Sequence, residues 1–392
     1  MRPVFVTRIL HTLPLVLALV LSGCWGPGSK VITSTTPVPL PVAATSYENE
    51  KGLNIGPQTL PYPQALATAR AFGDFSQRGS VDLFVATTTF DPGVRPSQAA
   101  RGTFEFWRRQ PDNTFVRDTG LLANNVGCTF PTKAIVADFN QDGKPDIFVA
   151  CRGLGETAFV GERSGVLLSR ADGSYKTTFL NIEGAFVSAA AADLTGSGHG
   201  DVVVIDANTT TLSKMTGRFK DGFPIDSTTT AVILVNDGRG GFTPKASLLG
   251  SFITDFTDVE AFDLNRDGRP DIILLGADSG HGQPSMVLVN DGTGSFAQAR
   301  PIILPRANIG NAAPQDVVFI DNALFVSRTA GGTQGKRVVQ RIAWPSLAST
   351  VVYDGAPGSS LSQAGWMIPL SRDGHTQLIS DSTSTSAGLL LH

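Results

Sequence analysis

Two nine-residue segments of the sequence carry oxygen donors at a regular spacing. Each follows the pattern D-x-N-x-D-G-x-x-D, with donors at positions 1, 3, 5 and 9: Asp138, Asn140, Asp142 and Asp146, then Asp263, Asn265, Asp267 and Asp271. The backbone carbonyl at position 7, from Lys144 or Arg269, is the expected fifth donor. Alternate residues of a tight loop can point at one centre, and glycine at position 6 permits the turn. Several hard oxygen donors without nitrogen or sulfur select calcium, so we predict two Ca²⁺ sites.

Two further segments are weaker copies of this pattern. One offers Asp193, Thr195, Ser197 and Asp201, and here a calcium site and a metal-free turn are both open, because Asp, Ser and Gly favour turns anyway. The other has Asp74 and Asp82 at its ends but Arg78 at position 5, where a guanidinium can replace the cation. We therefore predict no metal in that loop. In the two full loops, three carboxylates would repel one another without a cation, which favours calcium.

The residues around these loops indicate strands. An EF-hand needs a glutamate at position 12, but Val149 and Leu274 stand there, and the flanks are β-branched and aromatic. Downstream, an apolar run, Asn-Asp-Gly and an aromatic residue recur at 232–242 and 286–296, which indicates strand, tight turn, strand. Each repeat then has four short strands. Such a sheet has two apolar faces, and radial repetition into a propeller buries both.

An aspartate at position 9 that leads directly into a strand resembles the FG-GAP repeats of integrin α-subunit propellers and their bacterial relatives. The resemblance extends from about residue 70 onward. It implies an all-β fold, a β-propeller of four-stranded blades, with calcium that stabilises hairpins. Six repeats are readable, including decayed copies at 317–326 and 367–379, and a seventh is possible. The chain ends in a third strand at 388–392, so we expect residues 53–60 to complete that blade and close the ring.

The N-terminus has the pattern of an export signal. Arg2 and Arg8 precede an apolar run of secretory length. The run ends in Leu-Ser-Gly-Cys24, which resembles the lipobox of bacterial lipoproteins and implies acylation of Cys24. An ordinary signal peptide that contains a cysteine is the alternative. We assign residues 1–23 to the signal, 24–52 to a flexible Pro/Ser/Thr-rich tether and 53–392 to the propeller. Trp25, rather than Asp, favours the outer membrane, on either of its faces.

The composition limits which classes of partner and metal site we expect. The net charge of −3 argues against nucleic acid or an anionic membrane surface as the main partner. Apart from Cys24 there are two cysteines, Cys128 and Cys151, which flank a predicted hairpin in a compartment that permits disulfides. We expect them to form a bridge rather than a metal site, because no histidine or second cysteine pair accompanies them.

The sequence offers little that indicates catalysis. It contains no nucleophile elbow, phosphate-binding loop or H-E-x-x-H motif, and His281 is interpreted as part of a polar loop. The long insertion at 208–230 is either a binding loop or a variable surface excursion. We therefore predict a non-catalytic recognition or scaffold module for an unknown protein or glycan at the cell envelope. The alternative is a carbohydrate-active enzyme or a lectin-like glycan binder on the same propeller.

Overall fold

The computed structural model describes the chain in segments. They are residues 66–89, 95, 98–111, 115–154, 161–207, 230–252, 256–278, 283–307, 309, 312–330 and 336–355, together with the backbone of short strands at 219–220, 223–224, 367–372, 375–380 and 388–391. The predicted signal, Cys24, the tether, His281 and most of the 208–230 insertion lie outside the described residues. Among the residues described, no helix is long and apolar enough to span a bilayer.

Strands dominate the described chain, and they form five antiparallel four-stranded sheets. Blade 1 contains β1–β4, at Leu66–Gly73, Asp82–Thr88, Phe104–Arg109 and Phe115–Asp118. Blade 2 contains β5–β8, at Pro131–Ala137, Asp146–Cys151, Gly165–Ser169 and Tyr175–Phe179. Blade 3 contains β9, β10, β13 and β14, at Phe186–Ala192, Asp201–Asp206, Thr230–Asn236 and Phe242–Lys245. Its insertion carries a separate hairpin, β11 and β12, at Phe219–Lys220 and Phe223–Pro224.

The last two four-stranded sheets follow the same order. Blade 4 contains β15–β18, at Phe256–Phe262, Asp271–Gly276, Met286–Leu288 and Ile302–Ile303. Blade 5 contains β19–β22, at Ala312–Ile320, Ala323–Ala330, Lys336–Ala343 and Ser349–Asp354. A single turn of 3-10 helix, Ala246–Leu248, follows blade 3. The all-β fold with four-stranded blades is confirmed.

The first strand of each blade lies at the centre of the ring. First strands of successive blades contact one another, from β1 through β5, β9 and β15 to β19. A direct bond illustrates this, because the Thr132 hydroxyl in β5 donates to the Phe186 carbonyl in β9 over 2.7 Å. The second strands of blades 1 to 4 are buried throughout, whereas outer strands such as β22 are largely exposed. Burial therefore decreases from the axis to the rim.

The hydrophobic core is divided among the gaps between blades. Phe84 and Phe106 of blade 1 share a cluster with Ile147 of blade 2, and the same arrangement recurs between blades 2 and 3, 3 and 4, and 4 and 5. An isolated blade would leave both of its apolar faces in water. Stacking the blades around an axis removes those faces from water, and this burial is the main stabilising term.

The predicted blade count is wrong. The described residues form five four-stranded blades, whereas we predicted six, with a seventh possible. The sixth readable repeat forms a sheet of three strands: β23–β25 at Met367–Arg372, His375–Ser380 and Gly388–Leu391. Our expected fourth strand, from residues 53–60, lies outside the described residues, so closure of the ring by the two termini stays a prediction.

Two local predictions also need adjustment. The decayed fifth repeat replaces the nine-residue loop by a two-residue turn, in which Asp321 and Asn322 both have positive φ, as a type I′ hairpin requires. In blade 4, the strand expected at Phe296 is displaced to Ile302–Ile303. The reason is a bond to the neighbouring blade: the Phe296 amide donates to the Leu248 carbonyl over 2.7 Å, and the Phe296 ring is buried between blades 3 and 4.

Candidate metal-binding loops

Four of the blades carry a nine-position loop between their first and second strands. We call them loops 1 to 4, and they cover residues 74–82, 138–146, 193–201 and 263–271. Loops 2 and 4 are the predicted calcium loops. Because each connects the same two strands of its blade, all four lie on one face of the propeller. A contact between neighbours supports this, since the Gln141 side chain in loop 2 donates to the Gly198 carbonyl in loop 3 over 2.7 Å.

The aspartate at position 1 shapes each loop. In loop 2, Asp138 accepts hydrogen bonds from the amides of Asp142 and Gly143 at 3.1 and 2.8 Å. The equivalent carboxylates Asp74, Asp193 and Asp263 accept from the amides at positions 5 and 6 of their own loops. Gly143 has a φ of +79° with open space around its missing Cβ. Backbone conformation, rather than crowding, therefore requires glycine at position 6.

The aspartate at position 9 joins the loop to the sheet. Asp146 is fully buried, and its Oδ2 accepts from the amides of Phe139 and Asn140 at 2.8 and 3.1 Å. Its Oδ1 accepts from the amide of Ser169, at the end of the third strand, over 2.7 Å. The same two-sided bonding is found at Asp82, Asp201 and Asp271. Position 9 therefore has a structural role in every loop, including the one predicted to hold no metal.

Burial changes the acidity of these carboxyl groups. It raises the pKa of Asp146 to about 7 and that of Asp271 to about 6, although backbone amides donating to the charged forms oppose the shift. The pKa of Asp201 is also raised, mainly by burial. A nearby positive charge would favour the ionised forms, which is the effect a bound cation has.

The side-chain oxygens of loop 2 that could bind a metal are brought together in pairs by shared hydrogen-bond donors. The Asp142 amide donates to both Asp138 Oδ1 and Asn140 Oδ1, which brings those two oxygens together. The Ser169 hydroxyl donates to Asp142 Oδ2 over 2.8 Å, while the Ser169 amide bonds Asp146. The oxygen-only donor set therefore fits Ca²⁺. The Lys144 side chain, at position 7, points away from the other oxygens, because its Nζ donates a hydrogen bond to the Arg170 carbonyl. The backbone carbonyl of Lys144 is therefore the metal ligand that position 7 can offer.

The carboxylates are nevertheless not drawn tightly together. Among the described residues, two groups of three acidic or cysteine side chains have ligand atoms within 4.8 Å of one another, and neither lies in a loop. One is Cys128, Cys151 and Glu162; the other is Asp258, Glu260 and Asp316. Mutual repulsion explains the spread of the loop carboxylates. A calcium ion would have to pull these oxygens inward.

Arginine side chains distinguish the loops further. In loop 1, Arg78 lies 3.4 Å from Asp82 Oδ1 and also donates to the Ser76 hydroxyl, so a guanidinium approaches the carboxylate that would face a metal. In loop 4, Arg269 pairs with Asp267. Loop 2 has no such pair among its described contacts. Of the two full loops, loop 2 therefore offers the less obstructed set of metal-binding oxygens.

The asparagine of each Asn-Asp-Gly motif connects two neighbouring loops, a role that the sequence analysis missed. Asn236 donates from Nδ2 to the carbonyls of Phe139 in loop 2 and Gly200 in loop 3, at 2.9 and 3.0 Å. Asn290 bonds Leu194 in loop 3 and Pro270 in loop 4 in the same way, at 3.2 and 3.1 Å. The repeated motif was visible in the sequence, but the partners of its amide lie 20 to 97 residues away.

We expect Asn290→Ala to lower the free energy of unfolding by about 1–3 kcal/mol, because the buried carbonyl of Leu194 and the half-buried carbonyl of Pro270 lose their donor. Chemical denaturation followed by far-UV circular dichroism measures the change. Asn181→Ala, at an exposed position, is the matched control and should have little effect. Equal stability of the two variants would show that the bridge between loops is energetically unimportant.

The structure joins Cys128 to Cys151 by a disulfide, with Cα atoms 6.1 Å apart, within the usual range for such a bond. Both cysteines are buried. Glu162, which lies beside them, accepts hydrogen bonds from the amides of Thr129, Phe130 and Gly153. This group is therefore a structural link between the start of blade 2 and its second hairpin.

Comparisons with known proteins agree with this architecture. A family model described as an FG-GAP-like repeat matches residues 138–204 and 193–274. No curated protein matches the chain. Among solved structures, one from Thermus thermophilus described as an oxidoreductase (glucose dehydrogenase) is similar, with 10% identity, coverage of 83% of this chain and 96% of that one, and a TM-score of 0.44. Another, from Bacteroides fragilis and described as a 6-phosphogluconolactonase, has 12% identity, 83% coverage of each chain and a TM-score of 0.43.

These comparisons correct the prediction that the protein is not an enzyme. Both similar structures have enzyme names, and a missing catalytic motif is by itself no ground for predicting that a chain has no activity. Identities of 10% and 12% assign no activity to this chain either. The repeats and the sheets are more informative: the two matched segments contain loops 2, 3 and 4, each in a four-stranded blade. Residues 138–274 thus carry FG-GAP-like repeats, and the described residues form a β-propeller of four-stranded blades.

Proposed function

We propose that this propeller is a calcium-stabilised recognition or scaffold module that displays a binding face at the cell envelope. The observation that carries the proposal is the row of linked loops on one face. Asn236 and Asn290 connect three of these loops, so a cation in one loop affects the backbone of the next. Rigid strands under a row of loops are the usual platform for binding.

Calcium in this proposal has a structural role. Loop 2 would hold it through the side chains of Asp138, Asn140, Asp142 and Asp146 and the carbonyl of Lys144. Loop 4 would use Asp263, Asn265, Asp267 and Asp271 and the carbonyl of Arg269, after Arg269 releases Asp267. Loop 3 replaces two donors by Thr195 and Ser197, between Asp193 and Asp201, and would bind more weakly. The bound ion neutralises the loop carboxylates and holds each hairpin in shape.

The recognition role is tested by capture on the full chain. The immobilised protein is exposed to an envelope extract and to a glycan panel, once in millimolar calcium and once in chelator. We expect a specific protein or glycan to be retained in calcium and lost in chelator. A chain carrying both Asp142→Asn and Asp267→Asn is the control, and in calcium it should behave as the native chain does in chelator. Retention of the same material by all samples, or of nothing by any, would contradict the proposal.

We also propose that the chain is exported and anchored through a lipid on Cys24, at the outer membrane. The support is the signal-like N-terminus that ends in Leu-Ser-Gly-Cys. Expressed in a Gram-negative host, the native chain should fractionate with membranes, and Cys24→Ser should shift it to the soluble fraction. Ser22→Ala, which leaves Cys24 in place, is the control for a change in this segment. Unchanged fractionation of Cys24→Ser would overturn the anchor.

A further inference from the structure

A ring of equivalent residues surrounds the axis of the propeller. In each of the five blades, the pairing of the first and second strands contains a register shift near the start of the first strand. The residue next to each shift occupies the same position in its blade; these residues are Ala69, Lys133, Ser188, Asp258 and Asp316. All five are buried. A bulge re-aims the side chain beside it, and here it recurs at the axis.

The side chains of this ring meet in one charged cluster. Lys133 Nζ lies 3.3 Å from Asp258 Oδ1 and 3.4 Å from the Ser188 hydroxyl, and it also pairs with Glu260, two residues further along β15. The Ser188 hydroxyl donates to Asp258 Oδ1. Asp316 completes the group, because it has a carboxylate oxygen within 4.8 Å of those of Asp258 and Glu260. Blades 2, 3, 4 and 5 therefore all contribute side chains to one site, which we call the axial cluster.

The axial cluster has more negative than positive charge. Three carboxylates face the ammonium of Lys133, and Arg337 adds one further positive charge near Asp316. Asp258 is 1% exposed and Asp316 is 2% exposed. Charges this deep are costly unless they are paired.

A second observation, independent of charge, points to a ligand. Asp258 Oδ2 is buried and has no hydrogen-bond partner among the described residues, whereas its Oδ1 accepts from both Lys133 and Ser188. Buried carboxylate oxygens normally have a partner. Asp258 shares the cluster with Glu260 and Asp316, so an unsatisfied acceptor belongs to the same group as two further carboxylates.

We propose that the axial cluster is a binding site for a small divalent cation, held by Asp258, Glu260 and Asp316. The donors are all oxygens, which favours Ca²⁺, Mg²⁺ or Mn²⁺ over softer metals. Two of the three carboxylates are almost fully buried, which favours a small ligand, and Glu260 has 17% of its side chain exposed. Lys133 pairs with Asp258 Oδ1 and Glu260 Oε1, so the cation would bind beside the ammonium, through Asp258 Oδ2. The cation would tie blades 4 and 5 together at the axis.

Anomalous diffraction from crystals of the full chain soaked in MnCl₂ tests the proposal directly. We expect a manganese peak between the three carboxylates at the axis. Peaks confined to the loops, or no peak at the axis at all, would overturn it. This readout needs no variant and separates the two ideas, because occupancy of loops 2 and 4 tests the calcium proposal and occupancy of the axis tests this one.

Counting bound metal provides a second test in solution. Asp316→Asn keeps the side-chain volume and leaves the bonds of Lys133 to Asp258, Glu260 and Ser188 in place. By equilibrium dialysis against Mn²⁺, this variant should bind one equivalent fewer than the native chain, whereas Asp172→Asn, at an exposed turn, should bind the native number. Equal binding by the native chain and Asp316→Asn would contradict the axial site. If Asp316→Asn does not fold, the diffraction experiment decides.

Discussion

Asp146→Ala is expected to lower the free energy of unfolding by about 3–5 kcal/mol. The carboxylate is buried and accepts three backbone hydrogen bonds, from Phe139, Asn140 and Ser169. Alanine would leave these three amides without an acceptor, and each orphaned buried donor costs about 1–3 kcal/mol. Urea denaturation followed by tryptophan fluorescence and circular dichroism would measure the loss.

Two controls separate the structural part of this loss from any metal-dependent part. Asp172→Ala removes an exposed carboxylate in the same blade, and we expect a change below about 1 kcal/mol. Asp82→Ala removes the equivalent residue of loop 1, where Arg78 approaches the carboxylate. Its cost should be the same in calcium and in chelator, whereas Asp146→Ala should cost more in calcium. A small effect of Asp146→Ala in both buffers would contradict the role of position 9.

Calcium is expected to raise the stability of the native chain by about 5 kcal/mol when its free concentration is one hundred times the dissociation constant. A ligand that binds only the folded state contributes about 2.7 kcal/mol per site at that ratio, and loops 2 and 4 give two sites. The measurement is denaturation in calcium and in chelator at equal ionic strength. Sodium chloride at matching ionic strength is the control for general screening.

Asp142→Asn should remove about half of that gain. Asp142 is exposed, and its described hydrogen-bond donors are the Lys144 amide and the Ser169 hydroxyl. An asparagine can keep one of these bonds through its oxygen, so the stability in chelator should change by less than about 1 kcal/mol. Asp267→Asn should behave likewise for loop 4. If the native chain gains nothing from calcium, the predicted calcium loops are wrong.

Repetition explains how much of the fold could be predicted from the sequence. Four copies of one pattern, followed by the Asn-Asp-Gly signature, were sufficient to predict an all-β propeller of four-stranded blades. The number of blades was harder, because the last repeat lacks its end aspartates: Pro369 and Gln377 occupy those positions. A repeat of this kind does not reveal whether its sheet has three strands or four.

The loop sites could be predicted from the sequence, whereas the axial cluster could not. The candidate metal ligands of each loop lie within nine consecutive residues, and the structure holds them in one turn. Lys133, Asp258 and Asp316 are separated by up to 183 residues, from three repeats, and nothing in their local spacing indicates a site. The signal was present only in an alignment of the repeats, where the fifth position before each loop aspartate is Ala, Lys, Ser or Asp. A polar residue in an innermost strand is the feature to look for.

The bridging asparagines have a consequence for recombination between repeats. Asn236 belongs to blade 3 but bonds a carbonyl in loop 2, and Asn290 belongs to blade 4 but bonds one in loop 3. A crossover placed in the linker between two blades would therefore separate an amide from the carbonyl it was matched to. A crossover placed inside a blade, between its second and third strands, would separate them too, because the bonded residues lie 97 and 96 residues apart, whereas successive loop aspartates are 55 to 70 residues apart. Exchange of a single blade among blades 2 to 4 would thus break at least one of these hydrogen bonds wherever its crossovers lie.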